Sequence, residues 1–224
     1  MEKEGSPTAK LLLMGKGCNN NCLYCPYQGQ AFESDPYRLI NAIRNKEKGE
    51  EQIILAGREP PIHPYFIDLV KEANQAGYKI IEVLTNGRIF SIKRFTRRAI
   101  LAGLTDIEVK FFSVDPAIHD SITRVPGSWK QTVKGIKNIL YFQETYIPYF
   151  RPSLCVGIYV GRRNYQLLQQ TLDFLEDRGV REVFLIKAED VKLGEVKFKG
   201  DLFTVGFGFK KYGENGRKII RLNL

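Results

Sequence analysis

The densest chemistry in this sequence lies in eight residues, Cys18-Asn19-Asn20-Asn21-Cys22-Leu23-Tyr24-Cys25, which hold three of the chain's four cysteines. Thiolates packed this closely repel one another unless something positive neutralises them, so the spacing CxxxCxxC points to a metal centre. Three sulfurs are one short of the four that close a structural zinc or iron–sulfur site, which leaves one coordination position for a group that is not cysteine. One reading fills it with a histidine such as His63, in a non-catalytic zinc or iron–sulfur module that binds nucleic acid. The other leaves it open for a ligand that reacts. Cys155 stands far along the chain and reads as a small core residue. A cluster of three plus one remote thiol does not make a disulfide framework.

Such a loop needs a scaffold, and the hydrophobic pattern supplies one. Strand-like apolar runs occur at Lys10–Met14, Gln52–Ala56, Lys79–Leu84, Asp106–Phe112, Ser153–Val160 and Glu182–Lys187. Helical patterns fill the gaps at Pro36–Lys48, Pro64–Ala76, Ile92–Ala102, Ser128–Phe142 and Tyr165–Arg178, with Gly77, Gly103 and Gly179 just past their ends. Strand and helix alternating in this way predict parallel strands joined by crossovers. Six strands are too few for a closed eightfold barrel, so the expectation is an α/β fold, a partial open (β/α)6 barrel over residues 10–190. Residues 1–9 read as an N-terminal tail. Residues 191–224 read as a small C-terminal β extension on the rim or open side, with strand-like runs near 196–199, 202–209 and 218–222 and many lysines and arginines.

In parallel α/β folds, ligands bind where strands end and lead into helices. The second run ends in Ala56-Gly57-Arg58-Glu59-Pro60, the third in Leu84-Thr85-Asn86-Gly87, and the fourth in Lys110-Phe111-Phe112-Ser113-Val114-Asp115, followed by His119-Asp120. The fifth is Cys155-Val156-Gly157-Ile158-Tyr159-Val160-Gly161 with Asn164 beyond it, and the sixth holds Phe184-Leu185-Ile186-Lys187. With the cysteines after the first run, this order resembles the radical S-adenosylmethionine (radical SAM) enzymes over about residues 10–187.

The resemblance implies that Cys18, Cys22 and Cys25 hold a [4Fe–4S] cluster whose fourth iron is chelated by S-adenosylmethionine. It implies that Tyr24 lies near the adenine, and that Gly57, Glu59 and Pro60 match the GGEP motif that positions the ammonium. Arg58 replaces that motif's second glycine, which leaves it free to point at substrate. It further implies that Asn86, Ser113 and Asp115 line the cofactor cavity and that Gly157, Ile158 and Leu185 pack against adenine. The implied chemistry is that of an oxidoreductase. An external one-electron reductant, flavodoxin- or ferredoxin-like, feeds the cluster, S-adenosylmethionine is cleaved reductively, and the 5′-deoxyadenosyl radical takes hydrogen from a substrate. Lys110 reads as a cavity residue and His119 as a helix-start histidine.

The 224 residues carry 34 Lys and Arg against 25 Asp and Glu, a formal charge of +9. This field favours an anionic or macromolecular substrate such as RNA, a peptide or a protein, without choosing among them. Glycyl-radical activation and small-molecule chemistry are the other subtypes open to it. With one further cysteine, an auxiliary cluster and a mechanism using a methyl-carrying cysteine are not expected. No run approaches the roughly 18 apolar residues of a membrane span, and Met1 to Pro7 lack the apolar centre of a secretion signal. The expectation is a cytoplasmic protein that does not engage a membrane, a reducing compartment that suits an oxygen-sensitive cluster.

Overall fold

Seven parallel strands form one sheet in chain order. They are β1 (Thr8–Met14), β2 (Glu50–Gly57), β3 (Ile80–Thr85), β4 (Asp106–Phe111), β5 (Ser153–Val160), β6 (Glu182–Lys187) and β7 (Thr204–Phe207). This computed structural model describes residues 8–145, 152–188 and 204–207, the last four by backbone alone. Helices α1 (Pro36–Arg44), α2 (Phe66–Gln75), α3 (Lys93–Leu101), α4 (Pro116–Thr123), α5 (Ser128–Thr145) and α6 (Leu168–Glu176) fill the crossovers between the first six strands. The sheet curls without closing, which makes the α/β partial barrel anticipated from the pattern.

Period-two alternation divides each strand between two environments. Ile53, Leu55, Ile81, Val83, Ile107, Val109, Phe111, Val156 and Ile158 face the helices and merge with Leu39, Phe66, Leu69, Ile139 and Leu172 in the main core. Each large side chain fully buried there contributes about 1.5–3 kcal/mol, so this outer layer dominates stability. The opposite face is apolar on the first strands, where Ile54, Ala56 and Leu84 pack with Ala9, Leu11 and Leu13. On β4 and β5 that face turns chemical: Glu108 and Lys110 lie opposite Cys155 and Gly157 in register.

The six strands expected over residues 10–190 appear, with boundaries moved by a residue or two. Helix α4 adds an element where the sequence predicted only a helix start. Asp115 caps it by accepting from the amides of Ala117 and Ile118 at 2.7 and 3.0 Å, and Pro116 occupies its first turn. His119 therefore lies inside this helix rather than at its start. Of the C-terminal extension, β7 runs parallel to β6 and continues the same sheet. The expected strands near 196–199 and 218–222, and the basic residues around them, fall outside the described residues.

Candidate active site

The cysteine loop leaves β1 at Met14 and is tied on three sides. Gly15 donates its amide to the Glu33 carbonyl at 2.9 Å, which closes the base of the loop. The amides of Asn21 and Leu23 donate to the carbonyls of Thr123 and Ile122 at 3.0 and 2.9 Å, so the C-terminal end of α4 uses its unpaired carbonyls to hold the loop's tip. The turn beyond α4 is itself fixed by Asp120, which accepts from the Gly127 amide, the Ser128 hydroxyl and the Trp129 amide at 2.6, 2.7 and 2.8 Å. From the third side, Arg88 reaches the Asn19 carbonyl and, at 2.7 Å, Asn20 Oδ1.

Held this way, the three thiols feel one another. Burial, followed by the charge of Cys18, pushes the Cys22 thiol up to about 12, with a further contribution from Cys25. Burial and then Glu59 raise Cys18. Half-buried thiols whose ionisation is opposed, as at Cys18 and Cys22, become good ligands only when a positive group is present, which is the environment a metal centre supplies.

Glu59 stands beside them. It is 3% exposed, and it accepts from the Thr85 hydroxyl at Oε1 and from the Asn86 amide at 2.9 Å. Burial pushes its carboxyl up to about 7, against the hydrogen bonds from Thr85 and Asn86. Pro60 begins a short 3-10 turn that fixes the backbone just after it. Gly57 has φ +113°, and a Cβ there would lie 2.5 Å from the Met14 carbonyl oxygen, so only glycine lets β2 end this close to the root of the cysteine loop. Arg58 is directed at the loop: Nη1 donates to the Tyr27 carbonyl at 2.6 Å, two residues after Cys25. A cavity of about 320 Å³ opens next to Glu59, lined by Lys16, Gly17, Ser34, Ile62 and His63 among others.

Asn86 joins the two motifs. Its backbone amide holds Glu59 while its side-chain Nδ2 donates to Cys18 Sγ at 3.7 Å and to Asn19 Oδ1 at 2.7 Å. Across the mouth, Lys110 Nζ stands 5.7 Å from the ring centres of both Tyr27 and Tyr159. Burial works against its ammonium, but Tyr159, Cys25, Glu59 and Tyr27 together raise its pKa above the ordinary value.

The remaining candidates take varied places. Tyr24 has its ring centre 6.3 Å from that of Phe112, and its hydroxyl accepts from the Arg163 amide at 3.5 Å. Ser113 is fully buried and its oxygen accepts from the Asp115 amide at 3.1 Å, while the Asp115 carboxylate caps α4. Gly157 is on the inner face beside Lys110. Ile158 and Leu185 belong to the helix-facing core, so their side chains point away from the inner face. His119 is packed between Phe111 and Phe112, at 5.0 and 5.4 Å between ring centres. Sequence reasoning missed Arg88, which lies outside every motif, and gave no role of their own to Thr85 and Asn20, which stand inside the quoted Leu84–Gly87 and Cys18–Cys25 stretches.

The family model for the radical SAM superfamily matches residues 12–175. The chain belongs to the radical SAM superfamily. Among curated relatives, a protein of Saccharolobus islandicus (strain M.14.25 / Kamchatka #1) named "Probable GTP 3',8-cyclase" is 28% identical over 188 residues, covering 81% of this chain and 57% of that protein. One of the same name from Saccharolobus solfataricus is 26% identical over 206 residues, 89% of this chain and 63% of its own. The chain thus spans about three fifths of the length of these relatives. The structure of Streptococcus suis SuiB bound to S-adenosylmethionine matches with a TM-score of 0.65 at 15% identity, over 88% of this chain and 44% of that one. That of anSMEcpe with bound AdoMet and Kp18Cys peptide matches with a TM-score of 0.65 at 13% identity, over 88% and 55%. At these identities the structural likeness speaks for the fold alone.

Radical SAM enzymes use a [4Fe–4S] cluster and S-adenosylmethionine. The donor set fits that cluster better than a single ion. Among the described residues no three of His, Cys, Asp and Glu converge as ligands of one metal ion, whereas a four-iron cluster spreads its cysteines over separate irons. The zinc reading also loses its fourth ligand, since His63 Nε2 donates to the Ser34 carbonyl at 3.0 Å and Nδ1 accepts from the Tyr65 amide at 3.3 Å. No helix among the described residues is long and apolar enough to cross a membrane.

Proposed function

We propose that Cys18, Cys22 and Cys25 hold a [4Fe–4S] cluster and that this chain cleaves S-adenosylmethionine reductively to take hydrogen from an anionic substrate. The observation that carries the reading is Asn86, whose two ends join Cys18 and the buried Glu59. A cluster ligand and a carboxylate suited to the cofactor's ammonium are thereby set side by side. Held by Cys18, Cys22 and Cys25 and fed by a flavodoxin- or ferredoxin-like donor, such a cluster would supply the single electron for reductive cleavage of S-adenosylmethionine.

The chain's own residues do the rest. Glu59, held by Thr85 and Asn86, receives the ammonium as a charge-assisted hydrogen bond in a site that excludes water. Tyr24 and the backbone at Gly157 and Ile158 form the apolar wall for adenine, and the amide side of Ser113 and Asp115 fixes the loop above it. Lys110 supplies positive charge on the inner wall for an anionic group, and Arg58 steadies the loop after Cys25. Relatives named GTP 3',8-cyclase make a purine nucleoside triphosphate the first substrate class to try. It matches both the inner lysine and the basic composition.

The test is anaerobic reconstitution with iron and sulfide, then dithionite and S-adenosylmethionine with and without GTP, assayed for 5′-deoxyadenosine. Wild type is expected to produce it, faster with GTP, and Cys22→Ala is expected to lose both cluster and product. A colourless protein that binds one zinc ion and produces none would sink the reading. Product formation unaffected by GTP would retire only the substrate class.

A further inference from the structure

The turn after β3, Thr85-Asn86-Gly87-Arg88, does something at the cysteines that their spacing does not announce. Two of the three sulfurs receive N–H donors. Cys18 Sγ accepts from the Asn20 amide at 3.3 Å and from Asn86 Nδ2 at 3.7 Å. Cys22 is hydrogen-bonded by the side chain of Asn20. An asparagine side chain can present either its oxygen or its NH2 to a neighbour, and only the NH2 end is a donor.

Arg88 decides that orientation for both residues. Its Nη1 donates to Asn20 Oδ1 at 2.7 Å and its backbone amide donates to Asn86 Oδ1 at 3.0 Å. With both oxygens claimed, both NH2 groups are left to turn toward sulfur. The two asparagines are buried, at 7% and 5% exposure, so water is not a ready substitute for these partners. Arg88 is in turn braced by Gln131 of α5, which accepts from Nε at 2.7 Å.

We propose that the Arg88 guanidinium is a positioning group that aims the Asn20 amide at Cys22, while the backbone amide of the same residue aims Asn86 at Cys18, and that these donors raise the reduction potential of the cluster. This rests on the cluster assignment above. One-electron reduction adds negative charge that spreads onto the ligating sulfurs, and N–H donors stabilise the reduced form more than the oxidised one. Because Asn86 also holds Glu59, the group that sets the potential is tied to the group proposed for the cofactor's ammonium.

The test is a redox titration of the reconstituted protein followed by electron paramagnetic resonance, comparing wild type with Arg88→Met, Asn86→Leu, Arg88→Lys and the outer-surface control Lys93→Met. Arg88→Met and Asn86→Leu are expected to shift the potential to more negative values at unchanged iron content, with Lys93→Met at the wild-type value. Arg88→Lys, which keeps charge but not the planar fork, is expected to stay low. A wild-type potential in Arg88→Met overturns the proposal, and so does full recovery in Arg88→Lys, which would leave charge alone as the cause. If the variants take up no cluster, pulsed resonance on the reduced wild type in D2O decides. Exchangeable protons coupled to the cluster support the proposal, and their absence overturns it. A wild type that binds no four-iron cluster is a different failure, that of the assignment on which this rests.

Discussion

Glu59 and His119 are both buried ionisable groups, yet they answer to different partners. Glu59 is held by a hydroxyl and an amide and faces the mouth of the barrel. Glu59→Gln keeps its shape and removes the charge, so S-adenosylmethionine affinity is expected to fall about tenfold to a hundredfold, the worth of about 1.5–3 kcal/mol for a hydrogen bond to a charged group. Equilibrium dialysis with labelled cofactor measures it, and an unchanged affinity would reassign the loop. His119 has phenylalanines on both sides, and burial lowers its pKa from 6.5 to about 4. Its folded pKa lies below its unfolded value, so the unfolded chain binds the extra proton between those two pH values. Its contribution to stability is present above about pH 6.5 and is lost as pH falls toward about 4. Denaturant unfolding at a series of pH values should show this decline, and His119→Leu should flatten it.

At the scale of elements, the site depends on how closely α5 packs under the β3 turn. Gly135 of α5 has no side chain because a Cβ there would lie 2.2 Å from the Gly87 carbonyl oxygen. Thr132 of the same helix donates its hydroxyl to the Asn86 carbonyl at 2.9 Å. A methyl group at 135 must push the helix away from the turn that carries Asn86 and Arg88. Gly135→Ala is therefore expected to cost about 1–3 kcal/mol as overpacking does, and to reduce cluster retention as well. Thermal unfolding and iron analysis of the same sample check the two effects together. Stability lost with full iron retention would show that the turn tolerates the shift. Helix α4 shows the converse dependence, since its carbonyls hold the cysteine loop and its own start is set by Asp115.

For the whole molecule, the main core lies between sheet and helices, away from the cysteine loop. Removing iron should thus leave far-ultraviolet circular dichroism unchanged while lowering Tm, because a ligand that binds only the folded state stabilises it. Loss of secondary structure on iron removal would mean that the cluster, not the outer core, organises the barrel. This separation explains what the sequence could disclose. Period-two and helical patterns follow from local burial, and they revealed six strands, their order of ends and five of the six helices. The CxxxCxxC spacing and the Gly57, Glu59 and Pro60 signature announced the site because their chemistry is carried by residue type at short range. Arg88 and Gly135 gave no such signal, Thr85 and Asn20 stood inside quoted motifs with no role of their own, and Asp115, legible as a motif residue, proved to be the cap of a helix the pattern did not reveal. Sequence alone determined the layered, open α/β barrel and a loop that carries three cysteines after its first strand. Only the tertiary structure decided which amide faces which sulfur, that Arg58 turns to the loop, and that β7 joins the sheet. Those outcomes depend on contacts between residues many positions apart, and no local periodicity records them.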